Sequence, residues 1–499
     1  MKKRKIKSKQ RKIIKFKEKT KEFLDLPLLE ELTTDLDINI RFLKERLRNC
    51  SDIIYRYLEE QENWLIYTNG LVDENLLTEG ILKILLEQGE FTETSNLPMG
   101  QVSIASKTID IIDKILTGHI VLLFKNKPQA IVINLQKFEG RGIEASEIEP
   151  STKGPKESFT ENLDTNLALI RRRIPHPDCK IINLTLGTYS KTNVAVVYIS
   201  SIASASLVQK VLGRLKKINT DTISGSNVLE EALDENPWTI FPTVLETDRP
   251  DKVVSALLEG RIALLHNNNP FALIVPTFFV SFFQATDDYY RNFYIGTLLR
   301  YARYLSVLIT VFLPAFYVSF TTFNQELIPT SLLITLANQR AGVPFPVVVE
   351  ALMMGAAFEI LKEAGTRLPK PIGQAVSIVG ALIIGDAAVS AGIVSPAMVI
   401  VTALTAIASF TIPSQELEVP IILLRLVITI VSGLLGFWGI LIISILVLGH
   451  LASLRTLGIP YTSPLAPLNI EDLDDILVRA PFRINQKRPY SLNKKNLKR

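Results

Sequence analysis

Three long stretches in the C-terminal half of the chain carry almost no charge, and they limit what the chain can fold into. Residues 305–322 contain no charged side chain, and a run of about 18 apolar residues is close to the minimum that spans a bilayer. Residues 372–410 contain one charge, Asp386, and residues 419–449 contain one, Arg425. We therefore predict an α-helical transmembrane domain of about four to five helices in this half.

The number of crossings depends on one ambiguous region. Residues 328–363 are apolar on one side but include Arg340, Glu350 and Glu359, which fits an interfacial helix or a polar span inside an assembly. Two cytoplasmic termini require an even number of crossings. Counting 328–361 as a fifth crossing places the basic loop around Arg367 on the cytoplasmic side, as basic loops prefer, but it places the basic C-terminal tail on the opposite side. We expect one partial or interfacial helix pair and four full crossings, at residues 305–322, 372–393, 395–413 and 419–449.

Three ionisable side chains in these apolar stretches are candidate functional residues: Asp386, Glu350 and Arg425. A charge at membrane depth costs free energy unless it is paired or in contact with water. Asp386 lies about 21 Å along the helix from Ile372, so it either faces a polar pathway or sits near the far interface. Glu350 and Glu359 are about 2.5 helical turns apart, so they face opposite sides of one helix and do not pair.

The helix predicted over residues 372–393 is rich in glycine, alanine and serine, which permit close helix packing in lipid. One interpretation is tight packing within a single bundle. The other is that one such helix from each subunit stands around an axis, and that its apolar face forms a gate that closes by dewetting. The candidate pore-lining residues are Val376, Val379, Ile383, Ser377 and Gly380.

The two ends of the chain are strongly basic. Residues 1–21 carry +11 and residues 479–499 carry +8, which leaves −14 for the rest of a chain whose net charge is +5. Such tails are either solvated or attracted to anionic surfaces, and the apolar stretches favour anionic membrane lipids over nucleic acid. No apolar run follows the N-terminal basic segment, so we expect no signal peptide and a cytoplasmic N-terminal half.

The composition argues against an enzyme and against a metal centre. Two cysteines, Cys50 and Cys179, exclude a disulfide framework and a thiolate metal site, and the four histidines are far apart in the sequence. The chain has no P-loop, no dinucleotide-binding fingerprint and no nucleophile elbow. We therefore predict no catalytic residues, no cofactor and no metal.

An internal repeat organises the N-terminal half. Two segments match at one constant offset, and each follows an amphipathic helix and contains a turn asparagine, Asn126 or Asn268. Each copy predicts a helix, a glycine C-cap and two buried strands joined by a turn. The plain interpretation is two related α/β subdomains, or two edges of one duplicated domain, and the alternative is a duplicated ligand-binding clamp. The matched segments are GHIVLL at 118–123 with GRIALL at 260–265, and AIVI at 130–133 with ALIV at 272–275.

Two groups of arginines have simple interpretations. Arg171, Arg172 and Arg173 point in three directions from one helix, so they do not form one anion site. We expect a solvated charge run, and the alternative is that at least one of them faces the membrane or a partner. The tyrosines and arginines before the first predicted span are typical of an interfacial anchor, and they are Tyr289, Tyr290, Tyr294, Tyr301, Tyr304, Arg291, Arg300 and Arg303. The predicted regions are a basic tail at 1–34, α/β subdomains at 35–145 and 146–290, a helical membrane domain at 291–455 and a basic tail at 456–499.

Several motifs in the C-terminal half resemble one known family. PIGQAVSIVGALIIG at 371–385, AGIVSPAMV at 391–399 and FEILKEAG at 358–365 resemble the A subunit of bacterial spore germination receptors, the GerA family. The likeness extends over about residues 35–470. Two departures stand out: Gly355 replaces an expected acidic residue, and Asp386 replaces the usual glutamate.

The resemblance implies a function. It implies a subunit in the spore inner membrane that works with a transporter-like B subunit and a lipoprotein C subunit. It further implies a homo-oligomer, a pentamer, that encloses a nutrient-gated cation pathway and triggers germination. The alternatives are a sporulation-stage paralogue that amplifies germination, or a membrane scaffold that does not conduct.

Overall fold

The structure is a computed structural model. It describes residues 29–59, 62–83, 101–137, 149, 152–368, 385–476, 478–481, 488–489 and 491–492. The chain forms two compact units. The first is Met1–Glu139 with Arg171–Cys179, and the second is Gly140–Ile170 with Lys180–Arg499.

The first unit contains a five-stranded antiparallel sheet covered on both faces. Its strands lie in the order β1-β2-β4-β5-β3. Alternate strand residues point to opposite faces, so Ile66 and Val121 pack on two helices while Leu65 and Ile120 pack on a helical segment at Leu77–Leu82. The labelled elements are α1 (Leu36–Arg46), β1 (Ile53–Leu58), β2 (Asn63–Thr68), β3 (Val102–Ala105), α2 (Thr108–Leu116), β4 (His119–Leu123) and β5 (Ala130–Asn134).

The second unit begins with a sheet of the same design. Its strands lie in the order β6-β7-β9-β10-β8. If these strands are renumbered from one to five along the chain, the order is the same as in the first sheet. The helix α3 (Leu163–Arg173) precedes this sheet. The other elements are β6 (Cys179–Leu186), β7 (Thr192–Ile199), α4 (Ala205–Leu215), α5 (Ser226–Leu233), β8 (Leu245–Thr247), α6 (Pro250–Glu259), β9 (Ile262–His266) and β10 (Ala272–Val275).

The repeat in the sequence corresponds to repeated backbone conformations. Gly118 and Gly260 follow equivalent helices with φ of 88° and 97°, in the left-handed region that favours glycine. Asn126 and Asn268 occupy equivalent turns with φ of 62° and 65°. Asparagine tolerates this conformation better than other side chains. The residues that matched at the constant offset are therefore the ones that set the turns of both sheets.

Six helices of more than ten residues follow in the described part of the second unit. Helix α7 is long enough and apolar enough to cross a membrane, and so is the stretch Gln415–Leu435 that contains α11, while α10 and α12 are apolar but shorter. The six are α7 (Phe293–Thr322), α8 (Thr330–Arg340), α9 (Val347–Arg367), α10 (Pro396–Ser409), α11 (Glu418–Leu435) and α12 (Phe437–Ser453).

The prediction of one long final span at 419–449 is wrong. Gly436 adopts φ 61° and ψ −143°, a conformation that only glycine adopts readily, and it separates α11 from α12. Both outer ends of this pair lie beside the second sheet. The Glu416 carboxylate accepts a hydrogen bond from the backbone N–H of Glu246, and His450 Nε2 lies 3.0 Å from Thr239 Oγ1. The two helices therefore form a hairpin.

The other helices run between the same two ends. The near end of the helices lies beside the second sheet, and the far end is marked by Gly436, which lies against Phe323 just after α7. Helix α9 begins at the far end, where a Cβ added at Gly433 would meet Val348, and it returns to the near end, where Lys362 pairs with Glu418 at 2.8 Å. The region 328–363 is thus the short exposed helix α8 followed by a long helix inside the bundle.

Candidate functional site

The candidate site is a set of buried charges in the helices, and Glu350 lies at its centre. Glu350 is in the first turn of α9 and is fully buried. Its Oε2 accepts hydrogen bonds from the backbone N–H of Ser395 at 3.0 Å and from Ser395 Oγ at 2.9 Å. Because Ser395 is the N-cap of α10, the carboxylate stands at the positive end of that helix.

Two more side chains complete this cluster. Arg340, near the end of α8, places its Nε 3.3 Å from Glu350 Oε1. The Tyr317 hydroxyl of α7 lies 3.4 Å from Ser395 Oγ. Four helices, α7, α8, α9 and α10, therefore contribute to one polar cluster at the far end. We call Glu350, Arg340, Ser395 and Tyr317 the far cluster.

A second ion pair lies further along α9. Arg425 Nη2 of α11 donates to Glu359 Oε1 at 2.6 Å, and Arg425 is largely buried. This pair borders an apolar cavity of about 320 Å³ between α7, α9, α10 and α11. Gly355 lines the same cavity, and a Cβ added there would meet no atom within 4 Å. As expected, Glu350 and Glu359 face different neighbours and do not pair with each other.

The remaining predicted site residues have different positions. Asp386 lies on the surface of the chain, one residue after Gly385, which approaches Val399 of α10. The candidate pore-lining residues lie outside the described residues, and they are Val376, Val379, Ile383, Ser377 and Gly380. In the parts of the chain that the structure describes, no group of three or more His, Cys, Asp or Glu side chains is arranged to hold a metal ion.

A third cluster of charges lies at the near end, where α7 begins. Asp288 is fully buried, and Arg303 donates to its two carboxylate oxygens at 2.7 and 2.5 Å. Arg300 is also fully buried, lies 3.5 Å from Asp288 Oδ2 and donates to the backbone carbonyl of Asp475 at 2.5 Å. The prediction that Arg300 and Arg303 anchor the helix in the lipid interface is therefore wrong. These guanidinium groups are neutralised by carboxylates within the protein.

The segment after α12 is held against the start of α7. The Tyr289 hydroxyl donates to Asp475 Oδ2 at 2.9 Å, and the Tyr304 hydroxyl donates to the carbonyl of Ile476 at 2.8 Å. Burial and the Asp475 carboxylate raise the pKa of Tyr289, so its hydroxyl remains a donor. The described residues up to Ala480, which belong to the predicted basic tail, are thus folded onto the second unit, and they connect to the base of the first long helix.

Arg171 is a buried charge that the sequence analysis missed. It is fully buried in the first unit, and its Nε and Nη2 donate to Asp52 at 2.8 and 3.0 Å. Burial lowers the pKa of Arg171 and the Asp52 carboxylate raises it, and the net direction is upward. The expectation of a solvated run is therefore wrong for Arg171. The partner lies 119 residues away in the sequence, where no local pattern points to it.

The comparisons with known proteins agree with the motifs in the sequence. The chain matches the family model described as Bacillus/Clostridium GerA spore germination protein over residues 41–491. This chain belongs to the GerA family. The predicted family is confirmed, and this GerA-family chain is 41% identical over 478 residues to spore germination protein KA of Bacillus subtilis (strain 168), covering 93% of this chain and 88% of that protein.

Two further relatives were found. The uncharacterized membrane protein YfkQ of Bacillus subtilis (strain 168) is 36% identical to this GerA-family chain over 489 residues, which covers 94% of this chain and 95% of that protein. Among solved structures, the N-terminal domain of the A subunit of the Bacillus megaterium spore germinant receptor GerK3 is 30% identical, with a TM-score of 0.40. The match covers 50% of this chain and 97% of that chain.

Proposed function

We propose that this chain is the A subunit of a nutrient-responsive germination receptor in the spore inner membrane, and that its copies assemble around a cation pathway. It acts without enzymatic chemistry, together with a transporter-like B subunit and a lipoprotein C subunit, and the homo-oligomer is a pentamer. The family membership and the names of the relatives support the germination role. The apolar helices support membrane insertion.

We infer that the chain crosses the membrane six times, with the α/β sheets on the cytoplasmic side. Helices α7, α9, α11 and α12 supply four crossings, and the predicted span at 395–413, which contains the shorter helix α10, supplies a fifth. We take the span predicted at residues 372–393, whose first part lies outside the described residues, as the sixth crossing, because α9 has returned to the near end at Lys362 and Gly392 approaches Gly342 at the far end. Six is even, so both basic tails remain on one side. Because Gly436 divides the predicted final span in two, the basic loop around Arg367 and both basic termini can all lie on the cytoplasmic side.

The observation that carries the ion pathway is the exposure of Asp386. Glu350 and Glu359, which also lie on the helices, are paired with arginines within the chain. Asp386 instead is exposed on the surface of the described chain. A carboxylate that faces lipid is costly, whereas a ring of carboxylates around a wet axis attracts cations. An assembly that turns Asp386 toward its axis meets this requirement.

Deletion of the gene tests the receptor role. We expect spores without this subunit to lose the response to one nutrient or one mixture, because a receptor subunit serves its own ligand. Germination would be followed for a panel of separate nutrients by loss of optical density and by cation release. Responses to the other nutrients serve as the internal control. Uniform slowing with every nutrient would instead support the amplifying paralogue, and an unchanged response to all of them would contradict both.

A further inference from the structure

Trp238 is a large aromatic side chain that the fold leaves almost entirely uncovered. It lies in the segment between α5 and β8, in the second unit, and 97% of its surface is exposed. Tryptophan is costly to expose to water, and its amphipathic ring is enriched at the interface between membrane and water. Its position relative to the membrane helices therefore decides what covers it.

The segment that carries Trp238 is fixed to the near end of α12. Thr239 Oγ1 lies 3.0 Å from His450 Nε2, and the ring of Phe241 lies 6.0 Å from the ring of His450. On the other side of Trp238, Glu235 Oε2 accepts a hydrogen bond of 2.9 Å from the backbone N–H of Gly458. Contacts on both sides of the tryptophan thus hold it at the level where the helix ends.

The last turns of α12 carry exposed apolar side chains. Ile445 and Leu448, in the last turns of α12, expose 67% and 66% of their surfaces. Side chains of this kind on a membrane helix face acyl chains. The loop with Trp238 is held at the end of α12, at the depth where the headgroup layer begins if α12 crosses the bilayer.

We propose that residues 234–241 form a lipid-contacting loop, with the Trp238 indole inserted in the headgroup layer on the cytoplasmic side. The partner is the phospholipid interface itself. The inference rests on the proposed membrane insertion of α12. Such a contact would hold the second α/β sheet against the bilayer.

The three tryptophans of the chain allow a direct test. Trp64 lies in the first unit, and Trp438 lies in the first turn of α12 at the far end, where it is 71% exposed. A chain with W64F and W438F keeps Trp238 alone, and a chain with W64F and W238F keeps Trp438 alone. Each full-length chain is reconstituted in phosphatidylcholine–phosphatidylglycerol vesicles whose acyl chains carry bromine either near the headgroup or near the terminal methyl.

We expect bromine near the headgroup to quench Trp238 at least about twofold more than bromine near the methyl end. Quenching of Trp438 without quenching of Trp238 would overturn the inference, because the loop would then face water or another protein while the helix is in the bilayer. If neither residue is quenched, the proposed membrane insertion fails as well. If a double variant does not fold, W238F in an otherwise intact chain should remove the share of quenching by shallow bromine that Trp238 contributes beside Trp438, and an unchanged signal would overturn the inference.

Discussion

Glu350→Ala is expected to destabilise the folded protein by about 2–4 kcal/mol, because it removes the buried carboxylate that Ser395 and the partly exposed Arg340 share. The substitution leaves Arg340 without its carboxylate partner and removes both hydrogen bonds to Ser395. An unsatisfied buried donor alone costs about 1–3 kcal/mol. The effect should appear as a large fall in the unfolding midpoint of the detergent-purified protein and as poor accumulation in the membrane.

A matched control lies on the same helix. Glu363 pairs with Arg367 one turn away, and both side chains are largely exposed. An exposed pair of this kind contributes about 0.3–0.5 kcal/mol, so Glu363→Ala should be nearly silent. Glu350→Gln keeps the shape and an acceptor but loses the charge, and it should fall between the two. Equal unfolding midpoints for Glu350→Ala and Glu363→Ala would contradict the importance of the far cluster.

Gly436→Ala is expected to destabilise the protein by about 2–4 kcal/mol, through backbone strain and a steric clash. The backbone conformation at Gly436 is unfavourable for any residue with a side chain, and an added Cβ would lie 2.8 Å from the Cβ of Phe323. The hairpin of α11 and α12 would have to shift away from the end of α7. Thermal unfolding in detergent measures the loss.

Gly449→Ala is the control for this prediction. Gly449 lies in the interior of α12, and an added Cβ there would meet no atom within 4 Å. Alanine is about 1 kcal/mol more favourable than glycine in a helix, so this variant should be slightly more stable than the native chain. Opposite signs for the two variants are the expected result. A stabilising effect of Gly436→Ala would mean that α11 and α12 form one continuous helix.

Local patterns in the sequence were enough to predict the repeated part of the fold. The glycines and asparagines that matched at the constant offset set the turns, and the apolar runs between them became strands. A second correspondence was missed. Asn39 and Asn166 each accept from and donate to the backbone of a threonine six residues earlier, Thr33 or Thr160. Their spacing differs from that of the glycines and the turn asparagines, so a search at one fixed offset does not find them.

The errors arose where distant residues decide the structure. Arg300 and Asp475 lie in widely separated parts of the chain, and so do Glu350 and Ser395, so neither contact follows from a local pattern. The sequence does contain a signal for the break at Gly436. The apolar stretch at 419–449 is longer than one span needs, and Trp438 within it is a residue typical of a membrane interface.

The measurement that tests the account most directly is nutrient-triggered cation release from spores whose only copy of this subunit carries Asp386→Asn. If Asp386 faces a shared cation pathway, removal of its charge should slow release roughly tenfold, and Asp386→Glu should restore it. Immunoblots would establish equal subunit levels, and release would be followed with an ion-selective electrode after addition of the nutrient that the deletion identifies. Native release rates from the Asp386→Asn spores would contradict a cation pathway lined by this residue.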